Sequence, residues 1–234
     1  MPLKTFIDFD GTITTEDVGD AFFLRFGGEG CTRHVREYRE GRISARECFT
    51  REASEIRAFP VQEADAFVRS RTMTAGFEEF VRFCRESALE IHVVSDGLDF
   101  YIERILAAHG LEGVPFTSNR LQLDPLTVLF PHSAEECDRC ACCKRNVMLS
   151  RAGEQDVIAY IGEGYSDRCA AQYADIVFAK DDLQRYCQKE NISYYPYTDF
   201  HDVISRYRQL LARRRLRKRR RAELRRREAF TCES

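Results

Sequence analysis

In the stretch FIDFDGTITTEDVGD, residues 6–20, two carboxylates, Asp8 and Asp10, flank a phenylalanine at the end of an apolar run. Residues i and i+2 of a strand share a face, so both acids project one way while Phe9 points back and anchors the backbone. Two close carboxylates repel unless a cation or a proton lies between them. Gly11 permits a tight exit from the strand, and Thr12 offers a hydroxyl and an amide. Later in the chain Ser95 ends the run EIHVVS beside Gly97, Lys144 follows a cysteine pair, and VIAYIGEGYSD carries Glu163 and Asp167 out of another apolar run. If four carboxylates (Asp8, Asp10, Glu163 and Asp167) meet at one strand edge, they call for a hard cation, and oxygen-only ligation suits magnesium.

Together these groups describe phosphoryl transfer. Asp8 attacks phosphorus, and Asp10 protonates the leaving oxygen. Asp10 then takes a proton from the water that hydrolyses the aspartyl-phosphate. Ser95, Lys144 and Thr12 are the candidate phosphate-binding groups, Lys144 only if the chain folds it back toward the acids. Each residue also has a plainer role open to it: Ser95 and Asp167 as helix caps, Lys144 as a solvated charge. Glu16, Asp17 and Asp20 either face the substrate or stabilise a helix N-terminus.

Such chemistry needs a frame that brings strand ends together. Apolar runs predict strands at Thr5–Phe9, Glu90–Ser95, Phe116–Ser118, Val157–Gly162 and Asp175–Phe178. Helical spacing predicts helices over Gly76–Arg85 and Phe100–His109, and RLQLDPLTVLF (residues 120–130) reads as a hairpin. Alternating strands and helices imply an α/β fold with a mainly parallel, Rossmann-like sheet. Its strand C-termini share one edge, where ligands bind in such sheets. Residues 17–74 are too long for a simple crossover and carry apolar residues in helical rhythm, which predicts a small helical cap. The expected organisation is a core of residues 1–16 and 75–204, the cap at 17–74, and a basic helical extension or tail at 205–234.

The chain of 234 residues has no run of eighteen apolar residues, so no membrane span is expected. MPLKTFIDFD does not read as a secretory signal, and a cytoplasmic location is the expectation. Ten cysteines in such a chain imply reduced thiols rather than a disulfide scaffold. HSAEECDRCACCK groups His132, Cys137, Cys140, Cys142 and Cys143. A structural zinc site, plain buried or surface thiols, and a redox pair are the open alternatives there. The net charge of −2 conceals an asymmetry: eleven of 36 Lys+Arg but three of 38 Asp+Glu lie beyond residue 212, leaving −10 on the body and +8 on the tail. The tail can meet nucleic acid or another anionic surface, pair with the acidic body, or remain solvated.

With these residues in view, the chain resembles the haloacid dehalogenase superfamily in its phosphoserine-phosphatase-like branch. DFDGT matches the first motif, D-x-D-x-[TV]; Ser95, Lys144 and GEGYSD match the later ones in order. The resemblance implies Asp8 as nucleophile and Asp10 as acid/base, with Ser95 and Lys144 on the phosphoryl group. Magnesium would be held by Asp8, the main-chain carbonyl of Asp10 and Glu163, with Asp167 in support. Glu163 departs from the aspartate usual at its position by one methylene. TTEDVGD, SDGLDFYI, CCK and GEGYSDRCAAQYAD are similar to the methionine-salvage phosphatases, which act on 2-hydroxy-3-keto-5-methylthiopentenyl 1-phosphate. That similarity implies a small phosphorylated metabolite as substrate. Phosphoserine, phosphoethanolamine or phosphocholine phosphatases, and a non-catalytic binding protein on the same fold, are the alternatives.

Overall fold

The structure is a computed structural model that describes residues 2–135, 137, 139–213 and 215–231. Strand β1 (Leu3–Ile7) lies mid-sheet, with β2 (Glu90–Leu98) and β5 (Val157–Gly162) as its parallel neighbours. Beyond β2 come β3 (Phe116–Leu123) and its antiparallel partner β4 (Leu126–Leu129), the expected hairpin. Beyond β5 come β6 (Ile176–Ala179) and β7 (Tyr195–Pro196), both parallel, so the order is β4-β3-β2-β1-β5-β6-β7. Strand β5 is buried along its whole length, which explains its unbroken apolar reading. Strand β2 differs from expectation: it runs on to Leu98 through a register irregularity after Val94, leaving Ser95 inside the strand.

Alternation sorts the strand residues into two cores. Ile7, Val93, Ile161 and Phe178 pack on one face, and Phe6, Val94, Ile158, Tyr160 and Val177 on the other. The first face is covered by α5 (Phe77–Glu86), α6 (Asp99–Ala108) and α10 (Phe200–Leu211), through residues such as Phe80, Ile102 and Tyr207. The second is covered by α7 (Lys144–Arg151), α8 (Arg168–Tyr173) and α9 (Asp181–Lys189), through Met148, Ala170 and Leu183.

Between β1 and α5 lie four helices, α1 (Val18–Gly27), α2 (Glu29–Arg39), α3 (Ala45–Glu55) and α4 (Val61–Arg69). They gather around Phe22, whose ring lies 5.2–5.8 Å from those of Phe23, Phe26, Phe59 and Phe100. Phe100 belongs to α6, so this aromatic cluster seats the helices on the sheet layer. The two connecting segments are stitched together: Thr74 N donates to Ile13 O at 2.7 Å, and Thr15 N to Thr72 O at 3.0 Å. Across the cleft, Tyr38 Oη donates to Arg139 O at 2.6 Å, and the Phe49 and Phe130 rings lie 6.4 Å apart.

The expected start of the tail at residue 205 falls inside α10, whose Tyr207 and Leu210 are buried, so the core continues to Leu211. The described part of the basic segment folds back on the body through α11 (Arg220–Thr231), which packs on α8. Arg226 Nη2 meets both oxygens of the buried Asp175 at 3.0 and 3.1 Å. Arg219 donates its amide to Asp175 at 2.9 Å and its guanidinium to the carbonyls of Ala171 and Gln172. Cations at the C-terminus of α8 are favourably placed against its dipole. No helix among the described residues is long and apolar enough to cross a membrane.

Candidate active site

The site forms where β1 and β5 end. Asp8 N still donates to Ile161 O at 2.9 Å, extending the sheet by one residue before the chain turns. The amides of Thr12, Ile13 and Thr14 all point at Phe9 O within 3.2 Å, and Phe9 itself is fully buried. That tight loop sends Asp8 and Asp10 into a cavity of about 460 Å³ between the sheet edge and α1–α3. Gly11, with φ of +68°, turns the corner, and a Cβ there would stand 2.9 Å from Glu163 Oε1.

At the cavity floor the buried Lys144 Nζ donates to Asp8 Oδ1 at 2.5 Å, Asp167 Oδ1 at 2.7 Å and Ser166 Oγ at 2.9 Å. Burial alone would lower the lysine's affinity for its proton, but Asp167 and Asp8 outweigh it and hold Lys144 well above its ordinary value. Lys144 reaches this place because β2 grips the loop before it. Asp96 Oδ1 accepts from the amides of Ala141 at 2.7 Å and Cys142 at 2.6 Å. Burial raises the Asp96 carboxyl, and those two amides are among the groups that oppose the rise.

Asp167, expected as a supporting metal ligand, has both carboxylate oxygens hydrogen-bonded. Its Oδ1 also accepts from Tyr160 Oη at 2.6 Å, and its Oδ2 takes the amides of Glu163 and Gly164 at 2.9 and 2.8 Å. Although burial alone would raise it, Lys144 and these donors hold Asp167 below the usual carboxylate range. The residue therefore orients Lys144 and the Glu163–Gly164 loop.

Asp10 lies opposite. Its Oδ2 accepts from Tyr101 Oη at 2.8 Å and Ser95 Oγ at 3.4 Å, and its Oδ1 from the amides of Val18 and Gly19 at 3.0 and 3.3 Å. Burial and the Asp17 charge raise Asp10 to about 7, against the pull of those hydrogen bonds. Burial and the Asp10 charge push the Tyr101 phenol well up, so Tyr101 remains the donor. Gly97 makes the approach possible: a Cβ there would fall 1.7 Å from Tyr101 Oη and 2.6 Å from Asp10 Oδ2. Ser95 Oγ also accepts from Gly97 N at 2.9 Å.

The remaining candidates divide. Asp17 caps α1 through Asp20 N at 2.8 Å and also lines the cavity; Asp20 lines it while paired with Arg39 at 3.2 Å. Glu16 turns outward to Arg71 at 3.0 Å. Thr12 is buried, with its amide used in the turn to Phe9 O. The zinc expectation finds no support. Cys142 packs into the apolar core with Val94 and Met148, while the His132 side chain lies at the surface. No group of three or more His, Cys, Asp or Glu suited to a metal ion occurs among the described residues. Burial, then the Asp96 charge, pushes the Cys140 and Cys142 thiols up, which disfavours reactive thiolates.

For a magnesium ion the fit is chemical. Burial and the Asp167 charge raise Glu163 to about 7, and burial followed by Asp167 raises Asp8 well above its ordinary range. Those shifts mark desolvated oxygen donors close to another acid, whose ionised form a hard cation would favour. Asp8, Glu163 and the Asp10 carbonyl are the donors left once Asp167 is committed.

Tyr160, Tyr101, Asp96 and Ser166 escaped the sequence reading. A tyrosine inside the wholly apolar VIAYIG, and another within FYIERIL, carried the signal that a buried hydroxyl requires a partner.

Comparison with known proteins agrees with this geometry. The family model for haloacid dehalogenase-like hydrolases matches residues 5–172. A 2-hydroxy-3-keto-5-methylthiopentenyl-1-phosphate phosphatase of Lysinibacillus sphaericus (strain C3-41) is 30% identical over 217 residues, 88% of this chain and 94% of its own. The Bacillus thuringiensis (strain Al Hakam) protein of the same name is 31% identical over 225 residues, covering 90% and 98%. A solved phosphoserine phosphatase carrying a phospho-aspartyl intermediate analogue shares the fold, with a TM-score of 0.67 at 19% identity over 88% of this chain and 98% of that one. With motifs, topology and matched length in agreement, the chain belongs to the haloacid dehalogenase-like hydrolases.

Proposed function

We propose that the protein hydrolyses a small phosphomonoester through an aspartyl-phosphate on Asp8. The observation that carries this reading is the buried Lys144 bridging Asp8 and Asp167 at the cavity floor, with Asp10 opposite on a tyrosine. Asp8 attacks phosphorus as the bond to the leaving oxygen breaks, and Asp10 gives that oxygen its proton. A position near 7 suits Asp10 to the task, since it can hold a proton in the first step and release it before the second. Asp10 then takes a proton from the water that attacks the phosphoryl group, releasing inorganic phosphate and restoring Asp8. Lys144 offsets charge on the nucleophile and the transferring group throughout. A magnesium ion held by Asp8, Glu163 and the Asp10 carbonyl would supply further neutralisation of the phosphoryl oxygens.

The best-supported substrate is 2-hydroxy-3-keto-5-methylthiopentenyl 1-phosphate, which would place the protein in methionine salvage. Relatives named for that activity match over nearly the whole chain, and Phe23 and Phe49 line the cavity where a methylthio chain would lie. The test is hydrolysis of an aryl phosphate with and without magnesium, followed by the methylthio enol phosphate beside phosphoserine and phosphoethanolamine. Magnesium-dependent turnover with preference for the enol phosphate is expected. No hydrolysis of any of them would overturn the reading.

A further inference from the structure

Above Asp8 and Lys144 the cavity is roofed by α1–α3, and its roof is unlike its floor. Phe23, Val35, Ala45 and Phe49 supply apolar surface, and among them stands Glu52, 4% exposed. Glu52 sits one turn after Cys48 on α3, and its Oε2 receives the Cys48 thiol at 3.6 Å. A thiol is a weak donor, poor compensation for a desolvated carboxyl. Asp17 and Asp20 complete that side, and the guanidinium among the lining residues, Arg39, is engaged by Asp20 at 3.2 Å. Sequence reading did not single out Glu52, which sits in REASE without any motif.

We propose that Glu52 is a specificity-determining residue that engages the end of the substrate remote from phosphorus. With Asp17 and Asp20 beside it, it restricts that end to a chain without a carboxylate, bearing a hydroxyl or carbonyl and ending in an apolar group. This rests on the phosphomonoesterase reading above and deepens it. A substrate carboxylate in this roof would face the charges of Asp17 and Asp20 with Arg39 already committed and no cation at Glu52 to receive it, a like-charge encounter in a desolvated space. A carbonyl or hydroxyl fits, because burial and then the Asp20 charge push Glu52 up to about 8. At neutral pH its carboxyl keeps the proton and donates it to a substrate oxygen, while the neighbouring phenylalanines receive the apolar terminus.

The experiment compares kcat/KM for the methylthio enol phosphate, phosphoserine and an aryl phosphate, with magnesium, in the wild type and three variants. Wild type should favour the enol phosphate over phosphoserine by about 100-fold or more. Glu52→Leu should lower the enol-phosphate to aryl-phosphate ratio about tenfold, mainly through KM, as expected when a hydrogen-bonding group is lost from a polar recognition site. Glu52→Gln, which keeps shape and a donor, should restore that ratio. Glu52→Arg should raise phosphoserine hydrolysis relative to the aryl ester by about tenfold. A Glu52→Leu variant that leaves the ratio unmoved overturns the proposal, as does a wild type that accepts phosphoserine as readily as the enol phosphate. Neither result disturbs the phosphatase reading, whereas a wild type inert toward all three esters would remove both.

Discussion

Where β1 and β5 end, Asp8 shares a buried lysine with Asp167, and Asp10 and Glu163 line the same cavity. At the opposite edge, before β6, the buried Asp175 has Arg226 on both oxygens and the amides of Ile158 and Arg219 besides. One edge holds carboxyls that burial, and then neighbouring acids, raise to about 7 at Asp10 and Glu163; the other is closed upon itself. Carboxyls left without a full partner are what an incoming cation can use, and the cation in turn can receive the anionic phosphoryl group. Charge fully met holds the basic segment to the body. The same type of side chain thus serves chemistry at one end of the sheet and cohesion at the other.

The sharpest way to break this contrast is Asp8→Asn. Turnover of an aryl phosphate should fall by at least about 1000-fold, as for loss of a covalent nucleophile. The melting temperature should hold or rise, because one of several crowded charges is gone; undiminished turnover would reject Asp8 as the nucleophile. Lys144→Met should damage both properties. Activity should drop about 100-fold. Denaturant unfolding should reveal a loss of about 3–5 kcal/mol, because Asp8 and Asp167 remain buried without their cation. At the other edge, Arg226→Met should cost about 3 kcal/mol for the same reason while kcat/KM per folded molecule stays within about twofold. A large fall in kcat/KM would show that the edges are coupled.

A control away from both edges is His92, within β2, bonded through Nε2 to Thr117 Oγ1 at 2.8 Å. Burial, then the Arg151 charge, lowers it from 6.5 to about 4. The folded state therefore disfavours the protonated ring. Its contribution is fully present above pH 6.5 and is lost progressively as the pH falls toward 4. The loss should be about 1 kcal/mol at pH 5.5, read as the difference in unfolding free energy between wild type and His92→Gln.

Much of the frame was legible because burial on both faces writes strands such as VIAYIG as unbroken apolar runs, and because small turn residues follow them. The acids were legible for the same reason, since Asp8, Asp10, Glu163 and Asp167 stand immediately after such runs. What escaped depends on contacts distant in sequence. Lys144 looks like a surface charge until Asp96, 48 positions earlier, fixes the loop before it. Nor does sequence show that Lys144, Tyr160 and two amides gather on Asp167. The irregularity in β2 that carries the strand past Ser95 leaves no mark in composition. For the basic segment, charge alone allowed several partners, and sequence does not show that Arg219 and Arg226 meet Asp175 at a buried strand end.

The stitched connectors at Thr14–Thr15 and Thr72–Thr74 bring the entrance and exit of the four-helix insert side by side. An insert attached at one spot can be replaced without lengthening or straining the chain beneath it. The insert supplies most of the cavity roof, while Asp8 and Lys144 at the floor belong to the layer beneath it. Exchange of residues 17–71 between relatives that keep the amides of Val18 and Gly19 on Asp10 offers a direct route to new selectivity.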